Sequence, residues 1–275
     1  MPSVPSISED RSPSPLTVGD VRLCMLIYGE YGRGKSTLAA TFPKPIVLDT
    51  NGGLISLALE GVVVDTFVPT GYEDLEAFYY WVKQHTDEYE TIIVDTFDSL
   101  AALTLDEIVE NAADIKKQDN KRVMLRMEYV PEIGDHYANQ RQMRRFLTEL
   151  RRLGKHIVVT CGQRSKGGVN GPDVSNGMEN VLLDWTNLTG ELVIIDESQI
   201  DGDELPDPAG DLPTAGCRLL WTEVDNTRST RSKIKGVTPY IVEPTFDKIW
   251  SLIEAQVDAA NSGTTAAKRA AERKG

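Results

Sequence analysis

Cysteine, histidine and aromatic residues are scarce in this chain of 275 residues, and no long apolar run occurs. Each shortage narrows what the protein can be. The three cysteines, Cys24, Cys161 and Cys217, lie far apart, each in an apolar stretch. That is neither a disulfide framework nor a metal site, so it predicts reduced core thiols and a cytosolic protein. The three histidines, His85, His136 and His156, show no ligand spacing and no nearby nucleophile pattern. They are expected as ordinary surface or strand-edge residues. Nothing approaches the roughly 18 apolar residues of a membrane helix. Residues 1–20 carry Pro2, Pro5, Pro13 and Pro15 without an apolar h-region, so no secretory leader is expected. Basic residues are the minority, 29 against 42 acidic ones, for a net charge of −13. This excludes a strongly basic nucleic-acid coat protein as a bulk property. A local groove of Lys and Arg would still meet phosphate.

What is present suits a folded domain. Apolar residues make up 40% and charged residues 26% of a 30.4 kDa chain, enough to bury a sizeable core. Residues 1–18, rich in Ser and Pro, read as a disordered tail, and 259–275 as a basic C-terminal tail. Residues 19–258 are expected to form one α/β domain. Strands are predicted over 21–28, 45–49, 61–67, 91–95, 156–161, 192–196, 218–223, 231–235 and 240–243. Several are continuous Val/Ile/Leu runs, as in a parallel sheet buried on both faces. Helices are predicted over 35–41, 72–85, 98–111, 137–153, 178–187 and 246–259. Strands and helices alternate, which argues for a mostly parallel sheet flanked by helices. After about residue 190 the strands crowd together and read as antiparallel additions to the sheet edge.

The strongest motif is Gly29-Glu30-Tyr31-Gly32-Arg33-Gly34-Lys35-Ser36, followed by Thr37. It matches G-x-x-x-x-G-K-[ST] between an apolar strand and a helix. Glycines let backbone N–H groups point inward at a phosphate, where side chains would block its approach. Lys35 brings a full charge to the outer phosphates, and Ser36 offers a hydroxyl to Mg²⁺. A second acidic partner ends the strand Thr91-Ile92-Ile93-Val94-Asp95. An apolar strand ending in Asp is the Walker B pattern, which holds Mg²⁺.

With these motifs the chain resembles RecA-like P-loop ATPases, and more narrowly phage RecA-like single-strand annealing proteins of AAA type. The segments that carry the resemblance are GEYGRGKST, PKPIVLDTNGG, YETIIVDTFDSL, HIVVTCGQRSKGG and STRSKIKGVTPYIVEPTFDKIW, spread from about residue 21 to 256. The resemblance implies a RecA-like fold, ATP and Mg²⁺ as cofactors, single-stranded DNA as partner, self-association into a filament or ring, no membrane, and the cytoplasm of a bacterial host. It makes Asp95 the Walker B carboxylate and Gln163 the sensor of the γ-phosphate. Residues 164–176, with Arg164 and Lys166, match a mobile second DNA loop. Residues 114–135, with Lys116, Lys117, Lys121, Arg122 and Arg126, match the first. Lys233 and Lys235 stand where the family reaches a neighbouring subunit's nucleotide. One departure concerns hydrolysis. The position aligned to the family's general base is Asn51, and an amide cannot take a proton at neutral pH. Asp49 and Glu30 are the available substitutes. A slow DNA-dependent ATPase is therefore the expected activity. A non-catalytic nucleotide-gated scaffold in phage replication or packaging and a P-loop small-molecule kinase are the alternatives.

Two further features each fit two roles. Residues 191–217 hold eight acids and no Lys or Arg, either a solvated loop or a site that repels DNA or takes a metal or partner. The helix over 137–153 and the residues after it carry Arg141, Arg144, Arg145, Arg151, Arg152 and Lys155, either a charged surface or a phosphate path. Trp81, Trp185, Trp221 and Trp250 are expected in the core.

Overall fold

The structure is a computed structural model, and it describes residues 21–118, 130–196, 213–223, 225–234 and 237–256. The chain order is β1 (Cys24–Tyr28), α1 (Lys35–Ala40), β2 (Pro45–Asp49), α2 (Ile55–Leu59), β3 (Asp65–Phe67), α3 (Tyr72–Gln84), β4 (Thr91–Asp95) and α4 (Phe97–Gln118). It continues with α5 (Ile133–Arg152), β5 (His156–Cys161), β6 (Gln163–Lys166), β7 (Val169–Pro172), α6 (Asn176–Trp185), β8 (Leu188–Ile194), β9 (Arg218–Trp221), β10 (Arg231–Ser232) and β11 (Tyr240–Val242). A last helix, α7, spans 246–256.

The main sheet runs β11-β9-β8-β1-β5-β4-β2-β3, with β10 on β8. The six strands from β8 to β3 are mutually parallel, and β9, β10 and β11 are added antiparallel. The continuous apolar runs explain this. All residues of β1, β4 and β5 are buried, which requires helices on both faces. One face carries α3, α4, α5 and α6, with Leu75, Phe78, Leu100, Met143, Leu147, Leu150 and Leu182 packed against Leu26, Val94 and Val159. The other carries α1, α2 and α7, with Leu38, Phe42, Leu57, Ile249 and Ile253 against Ile27, Val47 and Val158. Each such side chain contributes roughly 1.5–3 kcal/mol on burial. Helix α5 begins where Asp135 accepts the Glu132 N–H at 2.8 Å. Helix α6 begins where Ser175 accepts the Met178 N–H at 3.4 Å.

Several boundaries and placements depart from the sequence reading. Strand β8 starts at Leu188, earlier than predicted, and belongs to the parallel core because it pairs with β1 from Met25 to Tyr28. The segment 164–176, expected as a mobile loop, opens with an antiparallel hairpin, β6 with β7. Helix α2 has no strong pattern in sequence and buries only Leu57. Trp81 is 48% exposed and stacks on His85, because it points away from the face of α3 that buries Leu75, Phe78 and Val82. His156, expected as a surface or strand-edge residue, begins a central strand and is buried under Phe246 and Trp250. The three cysteines are free and buried, as expected.

Candidate functional site

Parallel strands place their C-terminal ends at one edge, and loops leaving that edge form the site of an open α/β sheet. Here β1, β4 and β5 deliver the phosphate loop, Asp95 and Gln163 to that edge. The loop from Gly29 to Ser36 has the backbone its glycines allow. Gly32 and Gly34 take φ values of 76° and 86°, which side-chain-bearing residues rarely adopt. A Cβ on Gly29 would overlap the carbonyl oxygen of Leu192 in the neighbouring strand β8. Tyr31 stands fully exposed at the loop tip, and Glu30 forms an ion pair with Arg33.

Lys35 Nζ donates to the carbonyls of Gly29 at 2.8 Å and Glu30 at 2.9 Å. Burial lowers its pKa, while the carboxylates of Asp95 and Asp98 oppose that shift. The Ser36 hydroxyl donates to Asp95 Oδ2 at 2.5 Å, and the Thr160 hydroxyl donates to Oδ1. Burial pushes the Asp95 carboxyl up, and these two hydroxyls pull it back down. A cation beside this carboxylate would relieve the same cost. Ser36 and Asp95 are hard oxygen donors, the kind that Mg²⁺ takes together with substrate phosphates and water. Among the described residues no group of three His, Cys, Asp or Glu side chains is arranged to hold a metal ion.

Beside Asp95, Thr50 N–H donates to the Asp95 carbonyl at 2.8 Å, and the Thr50 hydroxyl bridges the Thr96 carbonyl and N–H. This ties the end of β2 to the end of β4. Asp49 is buried, and its Oδ1 accepts the N–H groups of Asn51, Gly52 and Gly53 at 3.4, 2.9 and 3.3 Å. Asn51 is exposed, and its amide oxygen accepts the Gly53 N–H at 2.9 Å. Both side chains hold the turn that follows β2.

Gln163 opens the hairpin two residues beyond the end of β5, pairing with Pro172. The preceding Gly162 N–H donates to Asp98 Oδ1 at 3.1 Å. Arg164 turns inward, to Glu179 at 2.6 Å, the Pro172 carbonyl at 3.0 Å and Asn176 at 3.0 Å. Lys166 is exposed, 3.5 Å from Asn176. A cleft of about 570 Å³ lies here, lined by Arg164, Lys166, Val169, Asn176, Glu179 and Ser229. The hairpin is anchored to the end of β1: Tyr28 Oη donates to the Asn170 carbonyl at 3.4 Å, and Asn170 donates to Glu191 at 3.0 Å. Glu191 is buried and lies 2.8 Å from Arg228 Nε, an ion pair outside ideal hydrogen-bond geometry.

Lys233 donates to the Asp184 carbonyl, near the start of β8 and so at the sheet edge away from its own phosphate loop. Lys121, Arg122, Arg126, Lys235 and most of the acidic stretch, 197–212, lie outside the described residues. The sequence reading singled out neither Asp98 nor the Glu191–Arg228 pair. Asp98 follows Asp95 by three positions, a spacing that could have drawn attention. Nothing in the sequence connects Glu191 with Arg228.

The strand order and the phosphate loop define a RecA-like P-loop NTPase core, a mostly parallel sheet with antiparallel strands added. The AAA domain family matches residues 22–235, and the chain belongs to that family. No curated protein matches. Among solved structures the crystal structure of the RadB recombinase is similar at 15% identity, covering 79% of this chain and 86% of that one, with a TM-score of 0.42. A likeness of that size adds nothing to what the strand order establishes. Among the described residues no helix is long and apolar enough to cross a membrane.

Proposed function

We propose that the protein is an ATP-binding recombination protein that binds single-stranded DNA, assembles with itself into a filament or ring, and promotes annealing or strand exchange. Mg–ATP would be held by Gly29 to Thr37, with Lys35 meeting its phosphates and the Ser36 hydroxyl and Asp95 carboxylate available to the cation. Lys166 and the cleft beside it take the DNA backbone. The setting is the cytoplasm of a bacterial host, and the source is a phage. One observation carries this reading: the hairpin that follows Gln163 leaves the same sheet edge as the phosphate loop and is hydrogen-bonded to the end of β1. A nucleotide that shifts Gln163 thereby has a short path to the hairpin, and the coupling is reciprocal.

The test is DNA affinity with and without ATP, in wild type and in Gln163→Ala. ATP is expected to tighten wild-type binding about 5–100-fold, and Gln163→Ala to keep ATP binding while losing that effect. Wild-type DNA affinity that ignores ATP would remove the mechanism. A second reading, a nucleotide-gated scaffold without turnover, is favoured by one observation. The Asp49 carboxylate is committed to three backbone N–H groups, and Asn51 cannot accept a proton.

A further inference from the structure

We propose that Arg218 is a second cationic ligand of the nucleotide's phosphates, supplied by strand β9 of the same chain and aimed by Glu243. This rests on the reading of the phosphate loop as a nucleotide site. Arg218 opens β9 and pairs with Ile194, near the C-terminal end of β8. Strand β8 runs beside β1, so Arg218 arrives at the edge where the phosphate loop begins. A Cβ on Gly34 would stand 3.1 Å from Arg218 Nη1 and 3.3 Å from its Cδ. The side chain therefore lies along the loop at the glycine that precedes Lys35.

The guanidinium is held from one side. Nε and Nη2 lie 3.0 and 2.9 Å from Glu243 Oε2, and the Arg218 N–H donates to Oε1 at 2.8 Å. The Glu243 N–H returns a bond to the Arg218 carbonyl at 2.7 Å. Glu243 takes a φ of 41°, uncommon for a residue with a side chain. Nη1 makes no hydrogen bond among the described residues, and it is the nitrogen nearest the loop. A planar guanidinium fixed by a carboxylate on one edge presents the other edge to phosphate oxygens. The pair is 31% and 44% exposed, so water screens it and it is a weak stability device. Its orientation against the phosphate loop is better explained by a ligand.

The test is calorimetric titration of Mg–ATP into the full chain at two salt concentrations. Arg218→Ala is expected to weaken binding about 10–100-fold, the loss of one charge-assisted contact, and to flatten the salt dependence. Arg218→Gln keeps the stem against Gly34 and should weaken binding as much, while Arg218→Lys should recover part of it. Glu243→Ala removes the ion pair but keeps the cation. It should cost about threefold or less and leave the salt dependence intact. Equal losses in Arg218→Gln and Glu243→Ala would make the pair structural and overturn the proposal. So would wild-type affinity in Arg218→Gln while Lys35→Ala abolishes binding, an outcome that leaves the nucleotide reading standing. Failure of wild type to bind ATP would overturn both.

Discussion

His156 shows how a residue without ligand spacing acquires a defined state. Its Nδ1 accepts the Leu23 N–H at 3.1 Å, so the neutral ring carries its proton on Nε2. Burial, with help from Arg22 and against Glu90, lowers its pKa to about 4. The folded state thus prefers the neutral ring. A lowered folded-state pKa means that the unfolded chain takes the proton first as pH falls. Stability is present above about 6.5 and is lost as pH falls toward 4, by up to about 3 kcal/mol. Urea unfolding of wild type at pH 7 and pH 5 should show this loss, and His156→Gln should show less pH dependence across the same window. Equal slopes in both proteins would remove His156 as the cause. At the same scale Lys35, Ser36 and Asp95 were legible in the sequence, because phosphate and Mg²⁺ chemistry dictates residue type and local spacing. Arg218 was not, since it meets Gly34 only through the pairing of β9 with β8.

The hairpin is the element whose sequence misleads. Its glycines suggest freedom, but Gly167 and Gly168 take φ values of 60° and 82° between the paired residues Lys166 and Val169. Two consecutive positive φ values are what a tight two-residue hairpin turn demands. The glycines therefore serve a fixed turn. Arg164 holds the hairpin to α6 through Glu179 and Asn176, with both partners of the ion pair partly buried. Arg164→Ala is expected to loosen the hairpin by about 1–2 kcal/mol, seen as faster amide exchange at 163–172. Lys166→Ala should leave exchange unchanged. It should weaken single-stranded DNA binding and reduce the salt slope by about one phosphate contact. If Lys166→Ala binds DNA with the wild-type salt slope, the cleft is not the DNA path. Helix α5 was legible because Met143, Phe146, Leu147 and Leu150 recur at helical spacing and are all buried.

For the whole molecule the open question is assembly. Strand β3 ends the sheet, pairing on one side with β2, and Val63 and Val68 beside it are 95% and 59% exposed. Strand β3 has only three residues, and so short an edge limits pairing with a second chain. Electron microscopy with single-stranded DNA and a slowly hydrolysed ATP analogue should show filaments or rings. Compact monomers at micromolar concentration would count against self-association. Reversing the net charge of −13 is not required for DNA to bind, because only local cations meet phosphate.

The sequence by itself determined the α/β class, the phosphate loop, the acidic strand end and the buried parallel core. These are local: apolar runs set strands, and phosphate chemistry sets glycine, lysine and hydroxyl spacing within one turn of chain. Only the tertiary structure decided that β8 joins the parallel core, that 163–172 is a hairpin, that Asp49 and Asn51 are occupied by a turn, and that Arg218 lies on the phosphate loop. Each of these depends on which strands become neighbours. Strand order is chosen by the summed burial of two sheet faces, a quantity that no short segment of the chain carries.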